Sequence, residues 1–259
     1  MTGVCGLRLS LAVAALGLVL APALPAQTAD SSLVTLERVF DSEEFAPEFL
    51  GRVRWLDGQA AYTKLEADSA NPAARSLVRY DAATGRRDVW VPVSRLVPAG
   101  DSVPLAIEDY SVSPDRRRLL IFTNSRKVWR QNTRGDFWAL DLATWRLHKL
   151  GGKEAAPSTL MFAKFSPDGG RVAYVRERNL YVEDLADGRI TQLTRDGSRT
   201  IINGTFDWVY EEELNLRDGF RWSPDGRHIA YWQLDASGVR DFLLIDDTDS
   251  LYSFTIPVQ

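Results

Sequence analysis

The residues with the clearest chemical potential are Asp207-Trp208-Val209-Tyr210-Glu211-Glu212-Glu213. Three adjacent carboxylates follow a tryptophan, a valine and a tyrosine. Like charges at this spacing repel, and any that are half-buried also lose hydration. A fold that keeps such a cluster beside an aromatic wall usually has a cation to put there. The plainer alternative is that the glutamates are solvated, or that they pair with Arg217 and Arg221 just downstream. Bond-making groups are not in view. No Gly-x-Ser-x-Gly elbow occurs, and the histidines are His148 and His228 alone. His148 sits in a strand-like Arg-Leu-His-Lys-Leu and His228 follows a turn, so both read as structural. The chain therefore offers no catalytic residue, no metal set and no glycine-rich phosphate loop, and no cofactor is expected.

The elements that must position the acidic run come from a repeat. Ser113-Pro114-Asp115, Ser166-Pro167-Asp168-Gly169 and Ser223-Pro224-Asp225-Gly226 each lead into a short apolar strand. Trp55-Leu56-Asp57-Gly58 is a degenerate earlier copy. The four aspartates recur at intervals of 58, 53 and 57 residues. Proline fixes φ, aspartate bonds the backbone ahead and glycine accepts a left-handed conformation, so each copy is a turn. A second strand-like element follows each: Leu77–Asp81, Phe137–Asp141, Asn179–Asp184 and Phe242–Asp246. The first three run on into another turn and strand. Each unit is thus a meander of about four short antiparallel strands, and units of this size suggest propeller blades. The expected fold is all-β: an incomplete β-propeller of about four blades, beginning near Leu33. Helical periodicity is nearly absent, apart from a possible turn near Glu211 to Leu216. A β-sandwich is the alternative, but it lacks this regular motif spacing.

Composition sets the compartment and the partners. The chain has 259 residues with 45% hydrophobic content and a net charge of −4, so it carries no clustered basic excess for nucleic acid. Arg8 precedes an apolar run from Leu9 to Ala21, and Ala21-Pro22-Ala23 and Leu24-Pro25-Ala26 offer small residues for cleavage. Residues 1–26 read as a secretory signal peptide, too short for a comfortable membrane span. An uncleaved anchor is the alternative. The lone cysteine, Cys5, lies inside that segment, so the mature chain enters an oxidising compartment without disulfides. A periplasmic or secreted protein with no stable membrane span is expected.

With blades and acidic run both in hand, Asp207–Glu213 resembles the signature of the dipeptidyl peptidase IV branch of the prolyl oligopeptidase clan. Its setting matches too, with Ile201-Ile202-Asn203-Gly204 before it and Phe220-Arg221-Trp222-Ser223-Pro224-Asp225 after it. Val128-Trp129-Arg130-Gln131-Asn132 resembles the arginine-bearing loop of the same branch, ahead of a Phe-Trp-Ala-Leu-Asp-Leu strand. The blade pattern extends over most of the mature chain, and the specific motifs are these two short segments. The resemblance implies an eight-bladed propeller followed by an α/β-hydrolase domain, in secreted enzymes that release dipeptides with proline or a small residue second. Residues 27–259 would be the N-terminal part of that propeller, and the hydrolase domain is absent from this chain, which reads as a fragment. Glu212 and Glu213 would bind the peptide's free ammonium, and Arg130 the carbonyl of its second residue. Asp207, Trp208 and Tyr210 would shape the acidic turn, with Glu211 the least defined. The partners implied are a peptide with a free N-terminus, the missing hydrolase domain and a homodimer mate. A non-enzymatic propeller that binds a peptide or protein is the second reading.

Overall fold

The computed structural model describes residues 33–47, 49 and 51–241. The segments read as a signal peptide and as the strand Phe242–Asp246 lie outside the described residues. The chain divides into two units, residues 1–50 and 51–259. In the first, helix α1 (Leu36–Phe40) starts at Thr35, whose hydroxyl accepts from the Arg38 N–H, and Arg38 pairs with Glu44. No blade strand occurs here among the described residues. The strand pattern begins at Val53, not near Leu33.

The second unit is a series of antiparallel meanders. The first blade is β1 (Val53–Trp55), β2 (Ala61–Ala67), β3 (Arg75–Asp81) and β4 (Arg87–Val91), paired in that order. The second is β5 (Asp109–Val112), β6 (Arg118–Lys127), β7 (Asn132–Asp141) and β8 (Leu147–Lys149). The third is β9 (Leu160–Phe165), β10 (Arg171–Arg176), β11 (Asn179–Asp184) and β12 (Ile190–Gln192). These two blades are joined edge to edge, because β7 runs on past its blade and pairs Arg134 and Gly135 with Met161 and Leu160 of β9. The fourth is represented by β14 (Phe220–Trp222) paired with β15 (Ile229–Tyr231), and beside it β13 (Ile201–Asn203) pairs with β16 (Gln233–Asp235).

Side-chain alternation packs the second and third blades each against two neighbours. On β6, Leu119 and Ile121 join Leu77, Leu96 and Leu140 in one apolar cluster, while Leu120 between them joins Val172, Tyr174 and Tyr181 in the next. On β10, Val172 and Tyr174 face back to that cluster, and Ala173 and Val175 face forward to Leu180 and Phe220. Successive residues of a strand point to opposite faces. A continuous apolar run such as Val172-Ala173-Tyr174-Val175 is therefore what a strand buried on both faces requires.

The Ser-Pro-Asp turns are built alike. Ser113, Ser166 and Ser223 each donate to the aspartate two residues on, at 2.5 Å in all three. Each serine Oγ also accepts from the N–H five residues ahead, that of Arg118, Arg171 or His228. Gly169 and Gly226 sit at φ 70° and 66°, which glycine adopts freely, and Arg116 holds the same conformation in the turn that lacks glycine.

The turns also link blade to blade. Arg118 Nη1 donates to the Gly169 carbonyl at 2.9 Å, and Arg171 Nη2 donates to the Gly226 carbonyl at 2.7 Å. The same position of one repeat thus holds the same position of the next turn. The first and second blades use other groups: Arg54 pairs with Asp109 and lies over the Tyr110 ring, and Thr63 bonds the Tyr110 hydroxyl at 2.7 Å. Between the second and third, the fully buried Glu183 meets His148 Nε2 at 2.5 Å, the Gly151 N–H at 2.9 Å and the Tyr174 hydroxyl at 3.1 Å.

Lys164 of β9 reaches the fourth blade. Its Nζ donates to Asp218 Oδ2 at 2.6 Å and to the Phe220 carbonyl at 2.9 Å. Burial lowers its pKa to about 8 in spite of Asp218. The unfolded chain, with lysine near its ordinary value of about 10.4, then holds more protons between pH 8 and 10. Stability accordingly rises with pH across that window. Lys164→Met removes the titration. Between pH 7.5 and 9.5 the wild type should gain roughly 1–2 kcal/mol on this variant, read from urea midpoints at each pH.

Candidate functional site

The acidic run forms a helix. Helix α2 spans Trp208–Leu214, beginning three residues ahead of the turn expected from sequence and ending two earlier. Asp207 is its N-cap, extended in backbone, with Oδ1 accepting from the Tyr210 N–H at 2.9 Å. Glu211 in the first turn favours the positive end of the helix dipole. Asn215, left-handed at φ 55°, closes the helix by donating to the Tyr210 carbonyl. Asp207→Ala should cost about 1 kcal/mol through loss of this cap, visible as a lower melting temperature.

Residues ahead of the helix fix its place. Gly204 sits at φ 75°, and a Cβ there would come within 2.8 Å of Leu180, so the chain can cross the third blade only with glycine. Phe206 is buried and stacks on Tyr210 at 5.4 Å. Trp208 is half-buried at the start of the helix. Thr205 donates to the Arg217 carbonyl at 3.0 Å, which folds the exit of the helix back on its entry.

One hundred degrees of helix per residue separates the three carboxylates. Glu211 is 5% exposed and points inward, with Oε1 3.2 Å from Arg217 Nε, although neither atom makes a well-aligned hydrogen bond. Glu212 keeps 11% of its side chain exposed and places Oε2 2.5 Å from Arg130 Nε. Glu213 is exposed. Arg217 is thus one of the two arginines anticipated as a partner for the run, while Arg221 pairs with Asp218 at 2.9 Å instead.

Arg130 comes from the opposite side on an arm. Strands β6 and β7 are ten residues each and form a hairpin, whose tip is closed by the Val128 N–H on the Gln131 carbonyl at 2.8 Å. Register shifts between Thr123 and Lys127 bend the arm, and Asn124 adopts φ 50°. The buried Asp136 holds the bend by accepting from Asn124 Nδ2 and from the Ser158 N–H, both at 2.9 Å. The Arg130 side chain is 76% exposed, so its ion pair with Glu212 is its main restraint. Arm and helix flank a cavity of about 280 Å³ with Val128, Trp129, Met161, Ile202 and Phe206 among its walls.

The structure therefore brings together Arg130 and Glu212, leaves Glu213 exposed, and turns Glu211 to the interior. Asp207 and Tyr210 hold the helix. His148 is engaged by Glu183, and His228 lies in an exposed turn. Among the described residues, no group of three or more His, Cys, Asp and Glu side chains could hold a metal ion. The pairing of Glu211 with Arg217 is visible in sequence only as one of several options.

Antiparallel four-stranded blades stacked face to face, with an acidic helix and an arginine arm inserted between them, define an incomplete β-propeller. Residues 113–256 match the family described as the dipeptidyl peptidase IV (DPP IV) N-terminal region, and the chain belongs to that family. Dipeptidyl aminopeptidase B of Saccharomyces cerevisiae is 35% identical over 153 residues, covering 57% of this chain and 18% of that protein. The crystal structure of Porphyromonas gingivalis dipeptidyl peptidase 4 superposes with a TM-score of 0.72 at 27% identity, covering 86% of this chain and 30% of that one. The chain thus spans less than a third of the length of either relative. No helix among the described residues is long and apolar enough to cross a membrane.

Proposed function

We propose that this chain is the substrate-gating portion of a secreted, serine-type dipeptidyl peptidase, the part that recognises a peptide's free amino terminus. The observation that carries the reading is the Arg130–Glu212 pair at 2.5 Å, in which a cation from the arm already occupies the carboxylate face of the helix. A peptide ammonium is the natural competitor for that place. It would sit between Glu212 and Glu213, and Arg130 would turn to the carbonyl oxygen of the peptide's second residue. A carboxylate pair demands a charged terminus, because an acylated amine offers neither the charge nor the three donors. An arginine fork then fixes the distance from the amine to the bond two residues in. Both tasks are positioning rather than bond-making. The nucleophile, base and orienting acid belong, in this reading, to an α/β-hydrolase domain of the complete enzyme. Membership of the dipeptidyl peptidase IV family supports that division of labour.

Calorimetric titration with Ala-Pro amide and its N-acetyl derivative tests the reading. Binding of the free amine only is expected. Equal binding of the acetylated peptide would remove the basis for an amine site and favour a peptide-binding module of another kind.

A further inference from the structure

The arm that carries Arg130 is held at its base by one buried carboxylate. Asp136 keeps 9% of its side chain exposed and meets three other elements. Its Oδ2 accepts from Asn124 Nδ2, on the facing strand of the arm, at 2.9 Å and lies 3.3 Å from Lys149 Nζ of β8. Its Oδ1 accepts from the Ser158 N–H, in the segment ahead of β9, at 2.9 Å. Ser158 closes the circle by donating its hydroxyl to the Asn124 carbonyl at 2.6 Å. Groups so enclosed hold one another firmly, because water cannot replace a lost partner.

The backbone at this hub is kept in conformations it would not choose alone. Asn124 has φ 50° and Ser158 φ 59°. Asparagine tolerates the left-handed region, and serine enters it at a cost. The hairpin is also pinched here, since a Cβ on Gly135 would lie 2.8 Å from the Thr123 carbonyl. Strain of this kind persists only where the surroundings over-determine it, and it gathers at functional sites. Asp136 supplies that constraint, yet its bonded partners are Asn124, Ser158 and Lys149, not the residues of the amine site. A second stay lies on the exposed side, where Glu108 accepts from the Ser125 N–H at 2.9 Å. Water competes for that contact, so the buried hub is the stiffer of the two.

The lever from hub to tip is long. Arg130 stands six residues from Asn124 on one strand and six from Asp136 on the other. At about 3.3 Å per residue the tip lies up to about 20 Å from the hub, so a swing of about 10° displaces it by about 3 Å. That is more than a hydrogen bond tolerates. We infer that Asp136 is the positioning residue of the arm. It sets the angle at which Arg130 is presented, and so the spacing between the carboxylates that take the amine and the fork that takes the second carbonyl. This inference rests on the amine-site reading of Glu212 and Arg130, and adds the residue that keeps their spacing.

Calorimetric titration of the full chain with Ala-Pro amide and with alanylpyrrolidide is the test. The second ligand keeps the amine and the ring but lacks the carbonyl of the second residue. The ratio of the two dissociation constants therefore reads the Arg130 contact. Loss of folded protein lowers the number of sites for both ligands and leaves that ratio unmoved. The wild type should prefer Ala-Pro amide by about tenfold or more, as a hydrogen bond from a charged donor implies. In Asp136→Asn an amide NH2 faces the Asn124 NH2, and the preference should fall below about threefold, with alanylpyrrolidide itself within about threefold of the wild type. Asn124→Gly accepts φ 50° freely but lacks the donor, and it should lose the preference in the same way. Pairing Asp136→Asn with Asn124→Asp sets a donor against an acceptor again, and the preference should return to about tenfold. A ratio unchanged in both single variants, or a double variant no better than Asp136→Asn, would overturn the positioning role and leave the amine site standing. A wild type without any preference would remove the carbonyl contact of Arg130 and this inference with it. Failure of both free-amine ligands to bind would overturn the amine-site reading as well.

Discussion

Replacing Glu212 by alanine is expected to abolish amine-dependent peptide binding while leaving the fold intact. Glu212 is the carboxylate with a cation already within 2.5 Å, and its side chain is mostly enclosed. Truncating one partner of such a charge contact costs about 2–5 kcal/mol, or between about thirtyfold and a few thousandfold in Kd. Arg130 loses its partner in the same variant, but it is largely exposed and water takes over its hydration. The loss should therefore appear in titrations with Ala-Pro amide and scarcely in the melting temperature. Glu213→Ala should weaken the same titration less, because Glu213 starts exposed. A Glu212→Ala protein that binds Ala-Pro amide like the wild type would mean that the amine is held elsewhere.

The largest effect on stability is expected from Glu183→Ala. Glu183 is fully buried and serves three groups: the His148 ring, the Gly151 N–H and the Tyr174 hydroxyl. Burial and the carboxylate both push the Tyr174 phenol upward, so it remains a donor at any working pH. Removing the carboxylate leaves these groups without an acceptor in a dry interior, together with a void. Each buried polar group left without a partner costs about 1–3 kcal/mol, so the sum is a large share of the roughly 5–15 kcal/mol that holds a typical domain folded. Urea unfolding should show the midpoint falling steeply or the transition disappearing. His148→Gln should be much milder, since two of the three contacts survive. Equal effects of the two substitutions would show that the His148 contact, not the carboxylate, carries the join.

The blades were legible because their signals are local. Proline, aspartate and glycine at fixed offsets define a turn, and alternating apolar residues define the strand behind it. The sequence reads as starting the series near Leu33, but the segment around Leu36–Phe40 carries apolar residues without strand alternation, and it forms a helix with none of them buried. The sequence shows only a turn near Glu211 to Leu216 in place of helix α2, because seven residues are too few to show a period, although Asp207 directly ahead of Trp208 is a usable cap signal. The meeting of Arg130 with Glu212 could not come from local pattern at all. The two are far apart in the chain, and the resemblance alone paired them. The burial of Glu211 and the hub around Asp136 depend on three-dimensional packing, and nothing in the string of residues marks them.

The arginine links between turns set how the chain tolerates change. In both, the acceptor is a main-chain carbonyl, of Gly169 or Gly226, and the donors stand 51 and 55 residues earlier. A carbonyl is present whatever side chain the turn carries. The turn positions that flank these glycines can therefore drift in sequence without uncoupling the neighbouring blades. The donor has no such freedom. Mutational robustness in this protein is thus lopsided: each blade is forgiving where it is gripped and exacting where it grips.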